Sequence, residues 1–188
     1  LLGTAYAMFN HEDEAIRELT RASEILPEDP EVHLNLGGVF MLQDMYESAA
    51  RCFRKVVEID PMDRLGYANL AAAYDMDKKY DEEIQALKKI LMFTPEDIEL
   101  RSALSTAYFN SENYDEALTH ALCVIELDEK DPQAYCNLGS CYSAQNMTDE
   151  AIEAFKKATE IDPDYSLPHT NLGSLYATIG RIEKAIKE

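Results

Sequence analysis

Residues 132–165 read PQAYCNLGSCYSAQNMTDEAIEAFKKATEIDPDY. Leu138 and Tyr142 lie four apart, as do Ala151 and Phe155, with Ala158 three further on. Spacings of three and four place such residues on one face of a helix. Numbered from 1 to 34, the stretch predicts a helix A at about positions 1–14 and a helix B at about 15–28. Asp131 and Pro132 suit an N-cap and a first helical position, where a missing N–H costs nothing.

The pattern repeats along the chain without gaps. Full repeats start at Pro30, Arg64, Ile98 and Pro132; a partial first repeat covers 1–29 and a partial sixth covers 166–188. Position 7 is Leu2, Leu36, Leu70, Leu104, Leu138 and Leu172. Position 8 is small: Gly3, Gly37, Ala71, Ser105, Gly139 and Gly173. Position 11 is aromatic: Tyr6, Phe40, Tyr74, Tyr108, Tyr142 and Tyr176. Alanine holds position 20 except at Glu83, and proline holds position 32 except at Glu129. The small residues at 8 and 20 let the two helices of a repeat approach closely.

These residues resemble the tetratricopeptide repeat, whose pattern is Trp at 4, Leu-Gly at 7 and 8, Tyr at 11, Ala at 20, Phe at 24 and Pro at 32. The resemblance covers all 188 residues. Position 4 departs from it, carrying His33, Tyr67, Arg101, Tyr135 and His169. The resemblance implies an all-α fold, a right-handed superhelix of antiparallel helix pairs forming a single solenoid over 1–188. A lone hairpin cannot bury its apolar face, so stacked neighbours make the core. Leu1 falls inside a helix A and Glu188 inside a helix B. The parent protein is therefore expected to continue in both directions, or the open ends to self-associate.

Charge supports the element boundaries. Position 34 is Asp29, Asp63, Asp97 and Asp131, four N-caps for the following helix A. Position 18 is acidic in all six repeats, against the positive end of the helix B dipole. Glu47–Arg51, Glu153–Lys157 and Glu183–Lys187 have the favourable order for exposed helical pairs. Glu83 is expected to reach water or Lys79, because a lone buried carboxylate is costly. Ala121 at position 24 and Glu129 at 32 suggest looser packing there. His11 and His120 are expected to face solvent.

The chain carries 36 acidic and 17 basic residues, a net charge of −19. That field repels phosphate backbones and anionic membranes, so nucleic acid is excluded as a partner. The four cysteines, Cys52, Cys123, Cys136 and Cys141, show no C-x-x-C and no nearby His pair. No metal site, disulfide framework or cofactor is expected, and free thiols fit the cytoplasm. No apolar run is long enough to insert into a membrane. With no nucleophile motif or phosphate loop, no enzymatic activity is expected of these residues.

The resemblance further implies that helices A line a concave groove, with positions 2, 5, 6, 9, 12 and 13 facing it. Position 6 is Asn35, Asn69, Ala103, Asn137 and Asn171. This placement resembles the asparagine ladder of the O-linked N-acetylglucosamine transferase superhelix and the groove asparagines of the peroxisomal targeting-signal receptor. An amide offers a donor and an acceptor to a peptide unit. The alternative is that each Asn bonds to the neighbouring repeat or meets solvent. Met41 and Phe109 could anchor apolar side chains or pack between A helices, and Asp75 adds a charge. The groove holds no Lys or Arg, so the carboxylate clamp of chaperone-binding relatives is absent. The expected function is a non-catalytic scaffold holding a protein or peptide, through a neutral, apolar or basic segment. Two alternatives stay open: a substrate-recognition arm of a larger enzyme such as a glycosyltransferase, and a self-assembling scaffold.

Overall fold

The computed structural model describes residues 12–181; the first-repeat positions from Leu1 to His11, and Glu183, Ala185 and Lys187, lie outside them. The described residues form ten α-helices: α1 Glu12–Ile25, α2 Pro30–Leu42, α3 Tyr46–Ile59, α4 Arg64–Met76, α5 Tyr80–Leu91, α6 Ile98–Asn110, α7 Tyr114–Leu127, α8 Pro132–Ala144, α9 Thr148–Ile161 and α10 Ser166–Thr178. Helices A thus occupy positions 1–13. Helices B begin at position 17, two residues later than the sequence suggests.

The delay has a cause at position 15. Asp44, Lys78, Glu112, Asn146 and Gly180 all adopt left-handed backbone, with φ of 54°, 57°, 63°, 62° and 74°. One residue later, the N–H of Met45, Lys79, Asn113, Met147 or Arg181 donates to the position 11 carbonyl at 2.8–2.9 Å. This six-to-one bond around a left-handed residue is the Schellman closure of a helix. Four of its five left-handed residues are not glycine, which is why the sequence did not announce it.

The opposite turn is specified by side chains. Asp29, Asp63, Asp97 and Asp131 accept from the N–H groups of Glu31, Gly66, Leu100 and Ala134 at 3.0–3.1 Å. At position 31, Asp60, Asp128 and Asp162 accept from the N–H two residues on, at 2.9–3.0 Å. Glu129 therefore does not loosen its turn: Asp128 forms the same Asx turn without a proline. Position 4 closes the corner from above. His33 Nε2 donates to Pro27 O at 2.8 Å, Arg101 Nε to Pro95 O at 2.9 Å and His169 Nε2 to Pro163 O at 3.1 Å. Residues that depart from Trp thus tie helix A to the carbonyl at position 32 of the preceding repeat.

Within a repeat, positions 8 and 24 are fitted to each other. A Cβ added at Gly37 would sit 2.5 Å from the Phe53 ring, and one at Gly139 would sit 2.7 Å from the Phe155 ring. In the fourth repeat the pair is Ser105 with Ala121, both essentially fully buried. Ser105 Oγ donates to Ala117 O at 2.9 Å. The larger residue at 8 matches the smaller one at 24, so Ala121 marks compensation rather than slack. His120 is half-buried and stacks on Tyr108, centroids 5.6 Å apart, instead of facing solvent.

The helices group into two units, 1–93 and 94–188. In the first, each of α1 to α5 packs on the next, with Ala15, Leu19, Leu36 and Val39 forming one core cluster. In the second, α6 to α10 do the same, and the A helices α6, α8 and α10 also touch in order. Its core holds Cys136, Ile152, Phe155, Leu172 and Tyr176. Surface charges pair locally, though not as the i, i+4 spacing suggests: Lys157 meets Glu160 at 3.5 Å, and Arg51 donates to Ser48 Oγ at 3.0 Å.

Candidate binding face of the A helices

Positions 7, 8 and 11 turn into the core, which leaves positions 2, 6, 9, 12 and 13 of each A helix on the other side; position 5 joins them except at Cys136, which is buried in the core rather than on the expected face. In the first unit this face is apolar. Leu42, Leu65, Ala68, Ala72 and Met76 are exposed, and Leu34 and Met41 are half-buried. A Cβ added at Gly38 would meet nothing within 4 Å, so the surface there is open. Glu31 and Asp75 are its charged members, both exposed.

In the second unit the same positions carry hydroxyls. Thr106, Ser140, Thr170 and Thr178 each donate to the carbonyl four residues back, at 2.9–3.1 Å. Their hydrogens are thereby committed to their own helices, and oxygen lone pairs remain on the face. Phe109 is half-buried, its ring 5.5 Å from that of Tyr114. A cleft of about 370 Å³ opens beside it, among Ser140, Ser143, Asn171, Ser174 and Thr178.

The four position 6 asparagines are all half-buried but do different things. Asn137 Oδ1 accepts from Gln133 Nε2 at 2.8 Å, while its Nδ2 is buried without a partner. Asn171 Nδ2 is directed at Cys136 Sγ, 3.9 Å away in the preceding repeat. Among the described residues, Asn35 and Asn69 make no side-chain hydrogen bond. Tyr165 donates its hydroxyl to Gln133 Oε1, completing a polar group with Cys136 at its centre. Burial pushes the Cys136 thiol up to about 11, against hydrogen bonds from Tyr165 and Asn171 that lower it. Burial and the nearby Cys136 push Tyr165 up to about 12. The signal for this group lay in two departures: Tyr165 where four repeats have Asp, and Gln133 one turn before Asn137.

Elsewhere, a concavity of about 580 Å³ lies over Tyr135, Leu138 and Tyr142, between α8 and α9. Its rim mixes Glu150, Glu153 and Glu160 with Lys156 and Lys157, charges that select no single ligand chemistry. Glu83 is 7% exposed, does not reach Lys79, and has an oxygen without a partner; Lys79 pairs instead with Asp77 at 2.7 Å. Burial, helped by Asp75, raises the Glu83 carboxyl to about 7. Among the described residues no group of three His, Cys, Asp or Glu is placed to hold a metal ion. None of the described helices is long and apolar enough to cross a membrane.

Three tetratricopeptide-repeat family models match the sequence, over residues 10–74, 132–165 and 154–187, together more than half of its 188 residues. No curated protein matches it significantly. Among solved structures, the crystal structure of MamA superposes with a TM-score of 0.75 at 23% identity, covering 88% of this chain and 97% of that one. A tetratricopeptide repeat protein from Parabacteroides merdae ATCC 43184 gives 0.82 at 17% identity, covering 98% and 73%. YrrB, described as a TPR protein with an unusual peptide-binding site, gives 0.64 at 28% identity, covering 90% and 87%. At these identities MamA and the Parabacteroides protein speak to the fold alone.

Proposed function

Because the chain belongs to the tetratricopeptide-repeat family, we propose that it is a non-catalytic module holding an extended protein segment against the outward face of its A helices. One observation carries the reading: positions 2, 6, 9, 12 and 13 of the A helices carry no Lys or Arg, on α2 and α4 in the first unit and on α6, α8 and α10 in the second. In the first unit, Leu42, Leu65 and Met76 are 67%, 60% and 51% exposed among the described residues. Solvent-facing apolar side chains gathered on one face mark interaction surfaces. Met adapts to varied partner shapes. Asn35 and Asn69 supply amides suited to a peptide backbone. YrrB, similar over most of its length, supports peptide binding as the general mode.

The non-catalytic part of the reading rests on how the reactive side chains are used. The ring nitrogens of His33 and His169 serve backbone carbonyls. Cys52, Cys136 and Cys141 are held near 11 by burial, far from a reactive thiolate.

Photo-crosslinking tests the location. Benzoylphenylalanine at Ala72 or Thr106, on A faces, should capture a bound partner, while the same group at Gln85 or Glu153, on B helices, should not. Replacing Asn69 and Asn137 by Ala together should weaken that capture with helicity unchanged. Crosslinks confined to the B-helix sites would sink the proposal.

A further inference from the structure

The cleft of the second unit has a specific chemistry. No ionisable side chain lines it. Ser140 Oγ and Thr178 Oγ1 donate to Cys136 O and Ser174 O, both at 2.9 Å. Asn171 turns its amide nitrogen to Cys136 Sγ. The Ser140 and Thr178 hydroxyls therefore have their hydrogens engaged and offer lone pairs, and Asn171 offers its amide oxygen beside one N–H not used by Cys136. The Ser143, Thr148 and Ser174 hydroxyls and the Asn146 amide complete the polar side and can donate or accept. Phe109, Ala144, Phe155, Leu175 and Ile179 supply the apolar part of the lining.

A ligand with an aliphatic stem and several N–H donors at its end uses both the apolar part of this lining and its free lone pairs. We propose that this cleft receives a lysine or arginine side chain of the bound segment. The stem lies along Phe109, Leu175 and Ile179, and the cationic head donates to Ser140, Thr178 and Asn171 oxygens. Long basic side chains bury their methylenes while keeping the head near water, and an open cleft allows that. The head needs no ion pair inside the cleft, since the chain as a whole carries −19 and draws cations toward it. A carboxylate could find donors in the cleft but is repelled by the same field, which favours the cation. This inference rests on the proposed A-face binding and specifies the ligand there.

The test is a ¹H–¹⁵N titration of the whole chain at 150 mM salt. The probes are the blocked peptides acetyl-Ala-Gly-X-Gly-Ala-amide, with X as lysine, arginine, norleucine or glutamate. Norleucine keeps the stem and loses the head. Lysine and arginine peptides should move the amide signals of Ser140, Ser143, Ser174 and Thr178, with Kd at least five-fold below that of norleucine. Ser174→Lys, on an exposed position of α10, should abolish those shifts. Equal binding of norleucine and lysine at these signals overturns the basic-side-chain inference and leaves A-face binding standing. Lysine-induced shifts confined to helix B acids such as Glu150 and Glu153 also overturn it, by showing diffuse attraction. If no probe moves any A-face signal in either unit, both readings fall.

Discussion

Glu83 occupies the position where Ala15, Ala49, Ala117 and Ala151 are completely buried. Its carboxyl rises from 4.5 to about 7, first through burial and second through Asp75. In the unfolded chain the group ionises near 4.5, whereas in the fold it holds its proton until about 7. Between those values the folded state binds more protons, so stability falls as pH rises and the loss is complete above about 7. At 1.36 kcal/mol per pH unit, the 2.5-unit interval corresponds to about 3 kcal/mol at pH 8. At pH 5 only the first part of the titration has occurred, and the cost is about 1 kcal/mol. Lys79 does not offset it, being paired with Asp77.

Glu83→Ala should therefore stabilise the protein, and by more at high pH. Urea unfolding followed by circular dichroism at pH 5, 6, 7 and 8 reads the difference as a midpoint shift at constant slope. The variant's advantage is expected to grow by about 2–3 kcal/mol between pH 5 and 8. Glu83→Gln removes the titration while keeping size, so its advantage should rise with pH in the same way. An advantage that is the same at pH 5 and pH 8, for either variant, refutes the buried-carboxyl reasoning. It would mean that Glu83 reaches water after all.

Other consequences follow from the turns and the core. Lys78→Gly and Glu112→Gly place glycine at left-handed positions; each should add about 0.5–1 kcal/mol in urea unfolding, the residue of a ~1–2 kcal/mol strain after glycine's own entropic cost. Gly139→Ser should cost about 1–3 kcal/mol by crowding the Phe155 ring, and Phe155→Ala about 3–5 kcal/mol by leaving a cavity. The double variant, which copies the Ser105–Ala121 pair, should cost clearly less than the sum, with a coupling of about 1 kcal/mol or more in a double-mutant cycle. Iodoacetamide at pH 8 should leave Cys136 and Cys141 unmodified in the native protein and label half-buried Cys123 first, as mass spectrometry of peptides would show.

The repeat was legible because its decisive residues act through size and periodicity. Leu at 7, a small residue at 8 and an aromatic at 11 mean the same thing in every repeat. Asp at 34 was equally transparent, since an N-cap acts within three residues of itself. The left-handed turn was not, because φ at position 15 is imposed by closing helix A against helix B, and Asp44, Lys78, Glu112 and Asn146 are acids, a base and an amide with no common residue type. Ala121 was misleading alone: its meaning depends on Ser105, which is sixteen residues earlier. Glu83 was misjudged for the opposite reason. Cost arguments favour an escape to water, but the helix cannot rotate while Ile84, Leu87 and Ile90 are buried on the same element.

The face of the A helices shows the limit most clearly. Asn35, Asn69, Asn137 and Asn171 are identical in register, and the sequence groups them as one ladder. What each amide does is decided by its neighbours one turn before it and one repeat away. Asn137 follows Gln133, which donates to it and is itself held by Tyr165. Asn171 stands beside Cys136 of the preceding repeat. Asn69 follows Leu65, which can offer no hydrogen bond, and Asn35 follows Glu31. A buried hydrogen bond that loses one partner costs about 1–3 kcal/mol, so Asn137 is tied to stability as well as to any ligand. The two substitutions of the Asn69–Asn137 variant are consequently not equivalent. Loss of binding without loss of stability must come from Asn69, and a stability loss must come from Asn137. Making each change singly separates a gripping amide from one that holds its own helix in place.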